Sequence, residues 1–206
     1  MLRTLLFVTG ASFITMGCTV ETTTEIDADV GSQSDADDPS TDESGSGSEF
    51  AVTSENTKVL FVGTKKSGDS KSGGFKTVSG SIGVDGDSIT SVNVVIDVES
   101  IFSEAEKLTA HLKNEDFFSA KEFPELKFES TKVEGSGDVT ITGNLTMHGQ
   151  TAEISSPATA TVTEGDVKLN GKFKVDRTKF GMNYTGKPDD PINAEVDIEI
   201  SVGGDA

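Results

Sequence analysis

The chain has 206 residues, with 35 acidic against 17 basic side chains, a net charge of −18, 33% hydrophobic residues and a single cysteine. That length allows one ordinary domain with extensions, and the acidic balance argues against nucleic acid as a partner, because phosphate binding needs a basic face. A lone cysteine excludes an internal disulfide, so the fold must stand on packing alone.

Residues 1–17, "MLRTLLFVTGASFITMG", place one arginine near the start, then an apolar run, then small residues ahead of Cys18. That order reads as a secretory signal. The run is shorter than the ~20 residues a membrane-crossing helix requires. "TMGC" resembles a bacterial lipobox, with Thr15 where leucine is usual, which makes Cys18 the candidate lipidation site. Acylation there would tether the protein to the periplasmic side of a bacterial membrane; plain secretion with a free thiol is the other reading. From Thr19 to Phe50 there are ten acidic residues and no basic one, with very little to bury. Residues 18–53 are therefore expected to be a solvated, self-repelling tether, and residues 54–206 the folded domain.

The pattern then switches to period two. Strands are expected near 57–63, 73–84 and 88–98. The second of these leaves two registers open: Phe75 with Thr77, Ser79, Ser81 and Gly83 on one face, or Val78, Gly80, Ile82 and Val84 on the other. "SEAEKLTAHLKN" interrupts the rhythm. Ser103 with Glu106 three residues later has the form of a capping box, and Ala105, Leu108 and Leu112 share one helical face. A further turn follows near 115–120, and Pro124 ends the segment. Strands resume at 125–134. Val139, Ile141, Gly143, Leu145 and Met147 then line one face, Ala152 to Val162 the next, Val167 to Val175 the third, and Ile192 to Val202 the last and cleanest.

About eight strands joined by short glycine-rich turns such as "EGSGD", "MHGQ" and "TEGD" imply antiparallel neighbours. The expected fold is all-β: an antiparallel eight-stranded β-barrel with a short helical insertion between strands 3 and 4, because closure removes exposed edges. A barrel of that size is filled by side chains or holds one small ligand. Ser156, Ala158 and Ala160, with Gly143 on the neighbouring strand, leave volume that either an apolar chain or some of the twelve phenylalanines must occupy.

"HLKNEDFFSAKEFPELKFEST", "VTITGNLTMHGQTAEI" and "VDRTKFGMNY", in that order, resemble the YceI-like family of lipid and polyisoprenoid binders over residues 57–203. The resemblance implies a lipocalin-like barrel in the periplasm whose apolar interior holds a polyisoprenoid or similar amphiphile, without catalysis or cofactor. "KLTAHL" stands where many members carry Arg-Asp ahead of His-Leu, so a head-group contact from that arginine does not transfer. The expected pocket comprises Phe75, Leu108 and Leu112, the aromatic group Phe117, Phe118, Phe123, Leu126 and Phe128, and, from the later strands, Ile141, Leu145, Ala158, Ala160, Phe173 and Phe180. Candidate head-group contacts are His111, Arg177 and Tyr184.

The aromatic group reads either as a cap on the barrel core or as the lid of a cavity; both readings deny chemistry. Glu115 and Asp116 are neighbours that point apart on a helix, and the two histidines lack a third ligand at recognisable spacing, so no metal is expected. His148, in a tight turn, is expected to face solvent. Arg177 could grip an anion or fasten a loop through Asp176 or Glu195. No Gly-x-Ser-x-Gly stretch is present, and an enzyme is not expected. The rival reading is a solid-core barrel acting as an interaction module on its acidic stalk.

Overall fold

The computed structural model describes residues 47–204. The signal and lipidation readings at residues 1–18, and most of the tether, lie outside the described residues. The chain forms β1 (Ser48–Thr53), β2 (Thr57–Lys65), β3 (Ser70–Phe75), β4 (Val78–Asp85), β5 (Ser88–Asp97), β6 (Ile101–Ser103), the helix α1 (Glu106–Leu112), β7 (Glu125–Ser136), β8 (Asp138–Met147), β9 (Gln150–Thr163), β10 (Asp166–Asp176), β11 (Gly186–Lys187) and β12 (Asp190–Val202). All described strands are antiparallel and belong to one curled sheet, in the order β1-β4-β5-β7-β8-β9-β10-β12-β2-β3-β6, with β11 paired to β12.

The expectation of eight strands meets twelve segments. Long runs are broken at 54–56, 76–77 and 98–100, and the two halves of each run pair with halves of the same neighbour. β1 and β2 pair with β4 and β3, and β4 and β3 pair with β5 and β6. Polar side chains replace ladder partners at the breaks. Ser54 Oγ accepts the Val78 N–H and donates to the Val78 carbonyl; Asn56 Oδ1 accepts the Thr53 N–H. Asp97 accepts the Glu99 N–H, and Ser100 Oγ accepts the N–H groups of Lys76 and Thr77. At the corners these side chains bond the backbone groups named, in place of ladder partners.

β1 also corrects the tether boundary at Thr53. Val52 is buried in the core and Phe50 packs against it, so the folded part includes Ser48–Thr53. In β4 the open register resolves to the apolar set: Val78, Ile82 and Val84 are buried.

The helix α1 runs for seven residues between β6 and β7 and turns Leu108 and Leu112 inward. The capping box is not made. The N-cap is Ala105, with no side-chain cap, because Ser103 ends β6 and its hydroxyl bonds instead to Thr109 Oγ1 and the Ala105 carbonyl. Among the described residues no helix is long and apolar enough to cross a membrane.

Candidate functional site

The alternating faces converge on a cavity of about 430 Å³ along the inside of the curled sheet. β12 contributes Ile192, Val196, Ile198, Ile200 and Val202; β10 contributes Leu169, Gly171, Phe173 and Val175. β8 and β9 add Ile141, Leu145, Met147, Ile154, Ser156 and Ala158, while β2 carries Val59 and Phe61 and β5 carries Val92, Val94 and Ile96. Phe128 reaches in from β7 and its ring lies over Gly143. A Cβ on Gly143 would stand 2.7 Å from that ring and 2.4 Å from the Glu129 carbonyl oxygen, so glycine is required there by close approach. Phenylalanine therefore fills the volume that Gly143 leaves, while the cavity persists beside it.

The two ends differ. At the lower end Thr57 and Val202 face one another across the β2–β12 ladder, and Val59 and Leu169 are buried beside them. At the upper end, exposed Lys71 and Ala105 and half-buried Thr64 and Lys65 reach the wall, which marks the mouth. There Lys65 lies 3.3 Å from Asp190 and 3.5 Å from Asp69. The hydrogen bond to Asp190 holds the Lys65 ammonium above its ordinary pKa against the pull of burial. Burial would raise the Asp190 carboxyl, but the Ser67 N–H and Lys65 outweigh it and the net shift is downward. Lys71 pairs with Glu104 at 3.6 Å.

Eleven of the fourteen expected pocket residues line this cavity: Phe75, Leu108, Leu112, Phe117, Phe118, Leu126, Phe128, Ile141, Leu145, Ala158 and Phe173. The aromatic group thus forms part of the wall, with Phe75 packed against Phe61 and edge-on to Phe118. Phe123, Ala160 and Phe180 do not line it. Ala160 is buried one inward position beyond Ala158; it pairs with Leu169, which lines the cavity, but does not itself reach the wall. Phe180 is fully buried on a single-turn 3₁₀ helix, Arg177–Phe180. Phe123 covers Gly149 and packs edge-on against His148, with ring centres 4.9 Å apart.

His148 corrects the expectation of a solvent-facing side chain. His148 and Gly149 both take positive φ, 51° and 70°, as a two-residue hairpin turn of the mirror-image type demands. The half-buried imidazole then meets the Phe180 carbonyl at 3.0 Å, and because a carbonyl only accepts, Nδ1–H is the donor.

The three head-group candidates separate. His111 and Tyr184 do not line the cavity; with Phe117 they form a ring cluster above it, with centres 5.1, 5.1 and 5.3 Å apart. His111 Nε2 is also 2.9 Å from Asp116 Oδ2. Arg177 does reach the cavity wall and is 6% exposed. Its expected carboxylate partners are not used. Nε donates to the Asn193 carbonyl at 3.1 Å, one terminal nitrogen to the Ile192 carbonyl at 3.3 Å and the other to the Met182 carbonyl. Burial lowers the guanidinium pKa from its ordinary value, with Asp176 opposing, and an arginine so placed stays charged. Asp176 instead accepts both the hydroxyl and the N–H of Thr178; Glu195 pairs with Lys174 at 3.2 Å.

Wall residues missing from the expected set include Phe61, Val94, Ile96, Met182 and the inward side of β12. Alternation signalled β12, whereas Met182 sits in an aperiodic loop and gave no sign. Among the described residues no three His, Cys, Asp or Glu side chains gather as a metal site.

Residues 50–203 match the family description "YceI-like domain". A UPF0312 protein of Vibrio parahaemolyticus is 39% identical over 142 residues, 64% of this chain and 72% of that one. A UPF0312 protein of Pseudomonas savastanoi pv. phaseolicola is 31% identical over 121 residues, 55% of this chain, and the chain spans 61% of that relative's length. A solved structure of a polyisoprenoid binding domain from Saccharophagus degradans, implicated in plant cell wall breakdown, matches 75% of this chain and 95% of its own with a TM-score of 0.61. Sequence identity to it is 13%, a likeness of fold. With a curled antiparallel sheet, an apolar interior and a family match over most of its length, the chain belongs to the YceI-like family.

Proposed function

We propose that this protein binds a long apolar lipid, a polyisoprenoid or similar amphiphile, inside its barrel and performs no chemistry on it. The observation that carries this reading is the cavity itself: about 430 Å³, within the usual range of ligand pockets, walled almost wholly by aliphatic and phenyl side chains. Transfer of a hydrocarbon chain from water into such a space contributes about 0.8 kcal/mol per buried CH₂. The polyisoprenoid-binding description of the Saccharophagus neighbour supports the ligand class. Both histidines are engaged in packing and hydrogen bonds at the upper end, which leaves them poorly placed to serve a nucleophile. The rival solid-core module would need a filled interior, and the cavity speaks against it. The reading includes export directed by residues 1–17 and a membrane anchor at acylated Cys18.

The test is native mass spectrometry of protein purified from its own host, followed by uptake of added prenyl alcohol. A co-purifying lipid or stoichiometric uptake is expected; the absence of both would refute the reading. Separately, Cys18→Ser is expected to move the protein from the membrane fraction to the soluble fraction, and an unchanged distribution would remove the anchor.

A further inference from the structure

We infer that Gly171 sets the length of apolar chain the cavity admits, an inference that rests on lipid binding in the same cavity. Glycine inside a strand weakens it, so its presence there needs a reason. The backbone supplies none, since Gly171 is not among the positive-φ glycines. Packing supplies none either. A Cβ at Gly171 would stand 3.5 Å from the Pro157 carbonyl oxygen, 3.6 Å from Ala158 Cβ and 3.6 Å from Ser156 Oγ, which is ordinary contact. Gly143, where a Cβ would collide with backbone and a ring, is the opposite case.

What the missing side chain leaves open is cavity. Gly171 lies on the wall, with Ala158 as its partner on β9 and Ile200 on β12. It stands six residues before Arg177, about 20 Å down the strand from the upper end at about 3.3 Å per residue. Below it, Leu169 is the last β10 residue on the wall. A short chain entering at the mouth ends above this level, whereas a long one has to pass it. A branched side chain at Gly171 would close the passage while leaving the upper cavity intact.

The test compares the parent with Gly171→Val for two probes, farnesol as a short prenyl alcohol and solanesol as a long one, with binding read by native mass spectrometry and the fold by thermal melting. Farnesol affinity is expected to stay within about twofold and solanesol affinity to fall about tenfold or more. The melting midpoint should hold or rise, since valine suits a strand better than glycine. Equal loss of both alcohols, or loss of neither, overturns the inference and leaves lipid binding standing. A parent that takes up neither alcohol overturns both readings. Should the valine variant unfold, Gly171→Ala carries the same comparison, and unfolding of that variant also would overturn the inference by making the glycine structural.

Discussion

Replacing Arg177 with leucine removes the one cation among the described residues that is both buried and on the cavity wall, and its cost follows from the three carbonyls it serves. A hydrogen bond from a charged donor contributes about 1.5–3 kcal/mol. Two of the three are long, 3.1 and 3.3 Å, and only partly buried, so the lower part of that range applies to them. Leucine is also relieved of the guanidinium desolvation, which offsets roughly one bond. The net loss is about 3 kcal/mol, which lowers the melting midpoint by about 6–12 °C in a domain of roughly 150 residues. Arg177→Lys, a point charge unable to span three acceptors, should fall between the parent and the leucine variant. Urea titration with circular dichroism reads the free energy, and the melting curve gives an independent value. A leucine variant within about 0.5 kcal/mol of the parent would refute the fastening role. Unchanged stability with lost lipid uptake would return Arg177 to the ligand.

His148→Ala should cost about 1 kcal/mol through the lost bond to Phe180, and a double-mutant cycle with Phe123→Ala should show coupling of about 0.5–1.5 kcal/mol from the edge-on ring pair; zero coupling would mean the contact carries nothing. Gly143→Ala should destabilise by about 2 kcal/mol, because its Cβ meets the Glu129 carbonyl and the Phe128 ring, and a neutral effect in urea melts would contradict that crowding. The Thr178 hydroxyl, and then its N–H, hold the Asp176 carboxyl below its ordinary pKa. A depressed folded-state pKa means stability that is present above the usual aspartate value of about 3.9 and lost as pH falls through the folded value. Asp176→Ala should therefore lose about 1 kcal/mol near neutrality, where the cap is missing, and show a shallower decline below about pH 4; an acid limb identical to the parent's would exclude this contribution.

Period-two alternation made β8, β9, β10 and β12 legible, and with them most of the wall, because a strand half in water must separate its faces. β1 was hidden by composition. Phe50 and Val52 stand after an acidic stretch, and their burial depends on β4, which pairs with them from some thirty residues away. The breaks at 54–56, 76–77 and 98–100 were invisible for a related reason. Ser54, Asn56, Asp97 and Ser100 are unremarkable singly; Ser54 and Ser100 act as strand breakers through bonds with the backbone of Val78 and Lys76, far away in sequence, while Asn56 and Asp97 bond the backbone of Ala51 and Glu99 close by. Alternation also reports which way a residue faces and says nothing about depth. Ala158 and Ala160 share a face, yet one lines the cavity and the other is buried in the core beside it.

The short motifs that carry the family resemblance illustrate a division of labour between the two ends. "MHG" makes the turn that presents His148, "RTKF" makes the 3₁₀ turn whose Phe180 carbonyl receives it, and Phe123 of "EFP" lies over both the histidine and Gly149. Arg177 then draws the loop after that turn and the start of β12 together, while Asn193 bonds Thr64 at 2.9 Å and Lys65 pairs with Asp190 across the same rim. At the lower end Val59, Leu169 and Val202 belong to the buried core, with Ser201 bonded to Asn170 at 2.8 Å and the Gly203 N–H to the Asn56 carbonyl on the outside. On the proposed lipid-binding function, a rim that admits a chain cannot be sealed by apolar packing without losing the opening, so directed hydrogen bonds between loops hold its shape. By that logic, weakening the upper fasteners should loosen the mouth before it melts the sheet. His148→Ala would then show faster amide exchange in residues 177–185 than in β8 or β10, and uniform exchange across all three would contradict the division.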